Sequence, residues 1–182
     1  MLLGALTALT APLAGGTPES ASVLLIGAGT HGVRWARHVR PRALGVDWPD
    51  PRVASGRSDV AEVVELRTLA FFARWPRSAS HYAKAGIETD RARWRGLVER
   101  HDRVLTVFQL GRGTGAGVAL ALTEIAVRVG TPCLNVGVRA PEDFGPAERR
   151  WATLTARDAA LLAPFRQVSE ARVEEVLREG LA

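Results

Sequence analysis

The sequence predicts an α/β domain of three layers, with a mostly parallel sheet and helices on both faces. Three observations predict it. The order strand, glycine turn, helix occurs twice, at Val23–Gly32 and again at Val104–Gly117. The strand candidates are continuous apolar runs rather than alternating ones, as expected of strands covered on both faces. The segments between them carry apolar residues at helical spacing. Together these describe a Rossmann-like arrangement, expected as one domain over residues 23–182 behind an N-terminal arm, 1–22.

The elements follow in chain order. Residues 1–22 are small and apolar, with Pro12 and Gly15-Gly16 against a long helix. Val23-Leu24-Leu25-Ile26 is the first strand, and the turn Gly27–Gly32 opens a helix over Val33–Val39 that stops before Pro41. Leu44-Gly45-Val46 reads as a short strand, and Pro49, Pro51 and Gly56 place a loop after it. Ser58 suits an N-cap, so Val60, Val63, Val64, Ala70 and Phe71 predict a helix to about Arg74. From Trp75 to Ile87 the pattern is lost, which predicts a loop; Thr89–Arg100 is a charged helix. Val104–Leu110 is the clearest strand, β-branched and apolar. Val118–Val129 is an apolar helix closed by Gly130. Cys133–Val138 is a strand, Pro146–Leu162 a helix with proline at its start, Phe165–Val168 a last strand and Glu170–Glu179 a last helix.

Composition bounds the function. In 182 residues, 47% are hydrophobic and 24% charged, which is an ordinary globular balance. The one cysteine, Cys133, excludes a disulfide framework and a cysteine-rich zinc site. It reads as a small buried hydrophobe. No apolar run is long enough for a spanning helix. No Lys or Arg precedes Arg34, as a signal peptide would need. The expected location is cytoplasmic. The net charge of +5 comes from arginines spread along the chain, densest at Arg34, Arg37, His38, Arg40 and Arg42, with no nucleic-acid motif. A solvated surface is expected there, not a nucleic-acid interface. His38, His81 and His101 lack metal-ligand spacing, and the five tryptophans read as packing anchors.

Both glycine turns follow a strand and open a helix, so both belong at the carboxyl edge of the sheet, where such sheets bind ligands. Glycine lets the backbone approach an anion, and the first free N–H groups of the helix point at it. Two such turns can hold one polyphosphate between them. The first, Gly27-Ala28-Gly29-Thr30-His31-Gly32, fits G-x-G-x-x-G, and Asp47 follows Gly27 by 20 residues, where a ribose-binding acid sits. That leaves open an NAD(P)-binding Rossmann oxidoreductase. It also leaves open a non-catalytic interaction module whose turns only pack helix on strand.

The second turn, Gly111-Arg112-Gly113-Thr114-Gly115-Ala116-Gly117, resembles the FtsZ/tubulin signature G-G-G-T-G-[ST]-G. Thr123-Glu124-Ile125-Ala126 stands where FtsZ proteins carry Ala-Glu-Ile-Ala, and the flanking strands match as well. The resemblance covers about 22–176 and is strongest over 104–145. It implies a GTP or GDP site, with Gly29, Thr30, His31, Gly32, Val33 and Arg34 at one phosphate loop. Gly111, Arg112, Gly113, Thr114 and Gly115 form the other, with the Thr114 hydroxyl able to donate to a phosphate oxygen. The family's Pro-Phe-x-Phe-Glu-Gly stretch, whose Glu and a following Arg reach the ribose, is matched only by Pro141, Phe144 and Gly145; Glu142, Asp143 and Arg149 are the substitutes at hand. The partners it implies are a nucleotide and itself or another FtsZ/tubulin-like chain. The process it implies is cell division or the cytoskeleton.

The departures point to weakened chemistry. Thr30, His31 and Val33 replace family glycines, Arg34 replaces an asparagine, and Arg112 replaces a signature glycine. Arg112 either clamps a γ-phosphate or fills the site. No third phosphate loop is evident between Arg74 and Glu88. The matched sequence ends about where the family's long central helix begins, so its catalytic loop and second domain are not expected. Weak or absent GTPase activity follows. Glu124, on an apolar helix, is expected to cap or to pair with an arginine, ahead of the alternative of a catalytic acid.

Overall fold

The structure is a computed structural model that describes residues 22–47, 63–65 and 80–182. Its strands are β1 (Val23–Ala28), β2 (Leu44–Asp47), β3 (Val63–Glu65), β4 (Arg103–Gln109), β5 (Cys133–Val138) and β6 (Phe165–Val168). Its helices are α1 (Gly29–Val39), α2 (Ser80–Thr89), α3 (Arg91–Glu99), α4 (Gly113–Val129), α5 (Pro146–Leu162) and α6 (Val173–Leu181), the last preceded by a 3-10 turn at Glu170–Arg172. The six strands pair in parallel in the order β3-β2-β1-β4-β5-β6. The expected α/β class is therefore observed, and the order reverses between β1 and β4.

Each central strand feeds two cores, because successive side chains point to opposite faces. Leu24, Ile26, Val104 and Phe108 face α2, α3, α4 and α5 with Ile87, Trp94, Leu122 and Ala159. Leu25, Leu105 and Val107 face α1 and α6 with Trp35, Ala36, Val173 and Leu177. Continuous apolar runs thus mean burial on both sides. A buried polar contact ties β4, β5 and α4 together: Thr106 Oγ1 and Thr123 Oγ1 donate to Asn135 Oδ1 at 2.6 and 2.8 Å.

Several expectations need correction; α1 and α4 begin at Gly29 and Gly113, inside the glycine turns, rather than at Val33 and Val118. The helix expected from Ser58 to Arg74 is interrupted by β3, whose Val63 and Val64 pair beside Gly45 and Val46; the remaining 58–74 residues lie outside those described. Two adjacent valines fit a 3.6 period and an edge strand equally well, and parallel pairing decides. The loop expected over 75–87 is instead α2 from Ser80 onward. Its buried face is Ala83, Gly86 and Ile87, and its start lies close on α4: a Cβ on Gly117 would strike the Ser80 carbonyl oxygen and crowd the Ala83 methyl. The charged helix expected from Thr89 begins only at Arg91, after a turn at Asp90.

Tryptophan packing holds for Trp35 and Trp94, which are buried, but not for Trp151, which is 58% exposed. Glu124 pairs with Lys84 rather than an arginine. The arm at 1–21 and the loop at 48–56 also lie outside the described residues.

Candidate functional site

The cleft sits where the strand order reverses. Chains leaving β1 and β4 turn to opposite faces there, which opens a crevice at the carboxyl edge. It encloses about 520 Å³ and is lined by Ala28–His31, Asp47, Gln109, Gly111–Gly115, Asp143–Gly145 and Glu148. Both glycine turns therefore wall one cavity.

The turns touch through their backbones. Gly29 has φ +69°, and a Cβ on it would lie 3.0 Å from the Gly115 nitrogen; a Cβ on Gly115 would lie 2.6 Å from the Ala28 carbonyl oxygen. Gly29 and Gly115 are glycine because the two turns meet there. Gly32 serves a different end: a Cβ there would strike the Val107 carbonyl oxygen, so it lets α1 lie on the sheet. The N-terminal ends of α1 and α4 face the cavity with no side-chain cap, leaving their first N–H groups free for an anion.

The side chains divide by turn. On the first, Thr30 Oγ1 donates to Asp47 Oδ2 at 2.8 Å, and His31 lies half-buried 5.8 Å from the Trp35 ring. Burial first, then the Arg34 and Arg112 guanidiniums, hold the His31 imidazole below its ordinary value, against Glu170 and Asp47. On the second, the Arg112 guanidinium lies 4.6 Å from the Phe144 ring centroid, and among the described residues it has no carboxylate partner. Gly111 takes φ +81° and leaves room for Phe144, whose Cε2 would stand 2.9 Å from a Cβ there. Phe144 thus latches the β5–α5 loop to the second turn. That loop brings Asp143 and Glu148 to the cleft. At the floor, Gln109 is 6% exposed and its Oε1 is buried without a hydrogen-bond partner.

Of the residues expected at the site, Gly29, Thr30, His31, Gly111, Arg112, Gly113, Thr114 and Gly115 line the cleft. Gly32 packs on β4, and Val33 is buried. Arg34 is paired with Glu170 and does not line the cleft. Arg149 donates to the Phe144 carbonyl, so it braces the loop. Gln109 and Glu148 carry no sequence signal of their own; Gln109 reads as one residue of an apolar strand. Asp143 was within reach only as one of several substitutes. Cys133 lies away from the cleft, and burial pushes its thiol up to about 11, consistent with an inert side chain. Within the dense basic group, Arg34 pairs with Glu170, His38 lies 3.6 Å from Glu174, and Arg40 donates to the Val23 carbonyl oxygen. No described helix is long and apolar enough to cross a membrane.

No family model matches the sequence, and no curated protein does. Solved structures do match in fold. FtsZ from M. jannaschii, solved as an empty dimer, superposes with a TM-score of 0.71 at 13% identity, covering 91% of this chain and 53% of that one. CetZ from Methanosaeta thermophila gives 0.66 at 12% identity, covering 87% of this chain and 52% of its own. TubZ of Clostridium botulinum phage c-st gives 0.66 at 11% identity, covering 89% and 57%. The fold is FtsZ/tubulin-like, and the chain spans about half the length of these structures. The nicotinamide alternative finds no support in these likenesses.

Proposed function

We propose that the cleft binds a guanosine di- or triphosphate, with its phosphates between the two glycine turns. The observation that carries this reading is the joint wall: two uncapped helix N-termini and Arg112, which has no carboxylate partner among the described residues, converge on one cavity of nucleotide size. The buried Gln109 Oε1, without a hydrogen-bond partner among the described residues, also fits an occupant that can donate to it. Gly113, Thr114 and Gly115 would hold phosphate through backbone N–H groups and the Thr114 hydroxyl. Thr30 and His31 would face it from the other side. Asp143 and Glu148 are the acceptors at hand for ribose hydroxyls. The choice of guanine rests on the fold likeness.

In this reading residues 23–182 act as one nucleotide-binding domain that hydrolyses weakly or not at all by itself. Binding groups alone do not position the attacking water. Self-association, or association with another chain of this fold, is part of the proposal, as are a cytoplasmic location and a role in cell division or the cytoskeleton. The test is calorimetric titration with GDP, GTP, ATP and NADH. GDP and GTP are expected to bind with Kd below about 1 mM and more tightly than ATP or NADH. No heat from either guanine nucleotide at about 1 mM would leave an interaction module with inherited glycine turns.

A further inference from the structure

We propose that His31 is a proton-linked ligand of the phosphate chain, neutral in the empty cleft and protonated once a polyphosphate lies beside it. This rests on the nucleotide reading of the cleft and adds its regulation. His31 stands on the cleft wall in the first turn, between Thr30 and the uncapped start of α1. The charged groups that face it are Arg34 of its own helix, Arg112 of the second turn, Glu170 of the 3-10 turn and Asp47 of β2. The Trp35 ring packs on its other side.

Without an anion, burial and two guanidiniums favour the uncharged ring, outweighing the two carboxylates. Of these groups, Arg34 is held by Glu170, and Asp47 by Thr30. Arg112 lies over the Phe144 ring with no carboxylate partner among the described residues, so its field acts on His31. A polyphosphate brings several negative charges to that same wall. It answers Arg112 and reverses the field at His31. The ring then gains a proton, carries an N–H on both nitrogens, and can donate one of them to the phosphate. The sign follows by linkage: the bound state takes up a proton, so affinity rises as pH falls between the bound and free midpoints. Each unit of upward displacement is about tenfold in affinity across that window.

The experiment is an NMR titration of the histidine rings from pH 5 to 8.5, free, with GDP and with inorganic pyrophosphate. His31→Gln assigns the signal. The His31 midpoint is expected to rise by about one unit with either ligand. GDP affinity should strengthen up to about tenfold from pH 8 to pH 6, and His31→Gln should keep only the part due to the nucleotide's own phosphate. If GDP shifts the Gly113–Gly115 amides while the His31 midpoint stays in place, the inference falls and the nucleotide reading stands. If pyrophosphate raises the midpoint and GDP does not bind, the nucleotide reading falls and the inference stands. If neither ligand moves any cleft signal, both fall.

Discussion

The two glycine turns are built alike and equipped differently. Each follows a central strand and opens a helix, and each spends a glycine on the other, Gly29 against Gly115. Beyond that contact they diverge. The first turn uses Gly27 and Gly32 to seat its helix on the sheet and offers the cleft two polar side chains, Thr30 and His31. The second offers a barer backbone at Gly113–Gly115, with Arg112 beside it on Phe144. Fixed N–H groups bind an anion at any pH, whereas an imidazole binds it conditionally. On the proposed reading, the second turn is the constant half-site and the first the tunable one.

The largest effect is expected where the turns meet. Gly115→Val places carbon against the Ala28 carbonyl, backbone on backbone, with no flexible side chain to yield. It should cost about 3 kcal/mol or more and lower Tm on the order of 10 °C by calorimetry. Gly96, on α3 with open space around it, is the control: Gly96→Ala should stabilise by about 0.5–1 kcal/mol. Equal tolerance at both positions would mean the turns do not touch.

Removing side chains at the two turns comes next. Arg112→Ala should weaken GDP binding about tenfold, because it deletes an unpaired cation from the cleft wall. Thr30→Ala should weaken it about threefold, because its hydroxyl is already given to Asp47. Tighter binding in Arg112→Ala would make that residue a plug and would reverse the assignment of roles.

Much of this comparison was legible in the residues. The strands were visible as apolar runs because both faces are covered, and Pro146–Leu162 was visible because its proline and length mark it. Helix α2 was not, because Ala83 and Gly86 on its packing face carry little bulk, and its start registers as core only once Gly117 lets the Ser80 carbonyl and the Ala83 methyl close in. β3 was hidden by two valines that suit either period. In the site, the turns announced themselves through their glycines. Gln109 and Glu148 did not, since what places them in the cleft is the latch of Phe144 on Gly111 and the end of β4, contacts far apart in sequence.

A smaller effect separates the turns through pH. In the free protein His31 resists protonation, whereas the unfolded chain takes up a proton near the ordinary histidine value of about 6.5. Its contribution is therefore nil above that value, and it destabilises the fold as pH falls below it. Denaturant melts at pH 7.5 and 5.5 should show a steeper acid loss in the parent than in His31→Gln. Equal losses would remove His31 from the tunable half-site.

The proposed site requires both turns to grip one polyphosphate. Amide NMR of the whole chain titrated with GDP tests it most directly. The prediction is that the Gly29–His31 and Gly113–Gly115 amides shift together along one saturation curve. Shifts at one turn alone, or two curves with different midpoints, would contradict it.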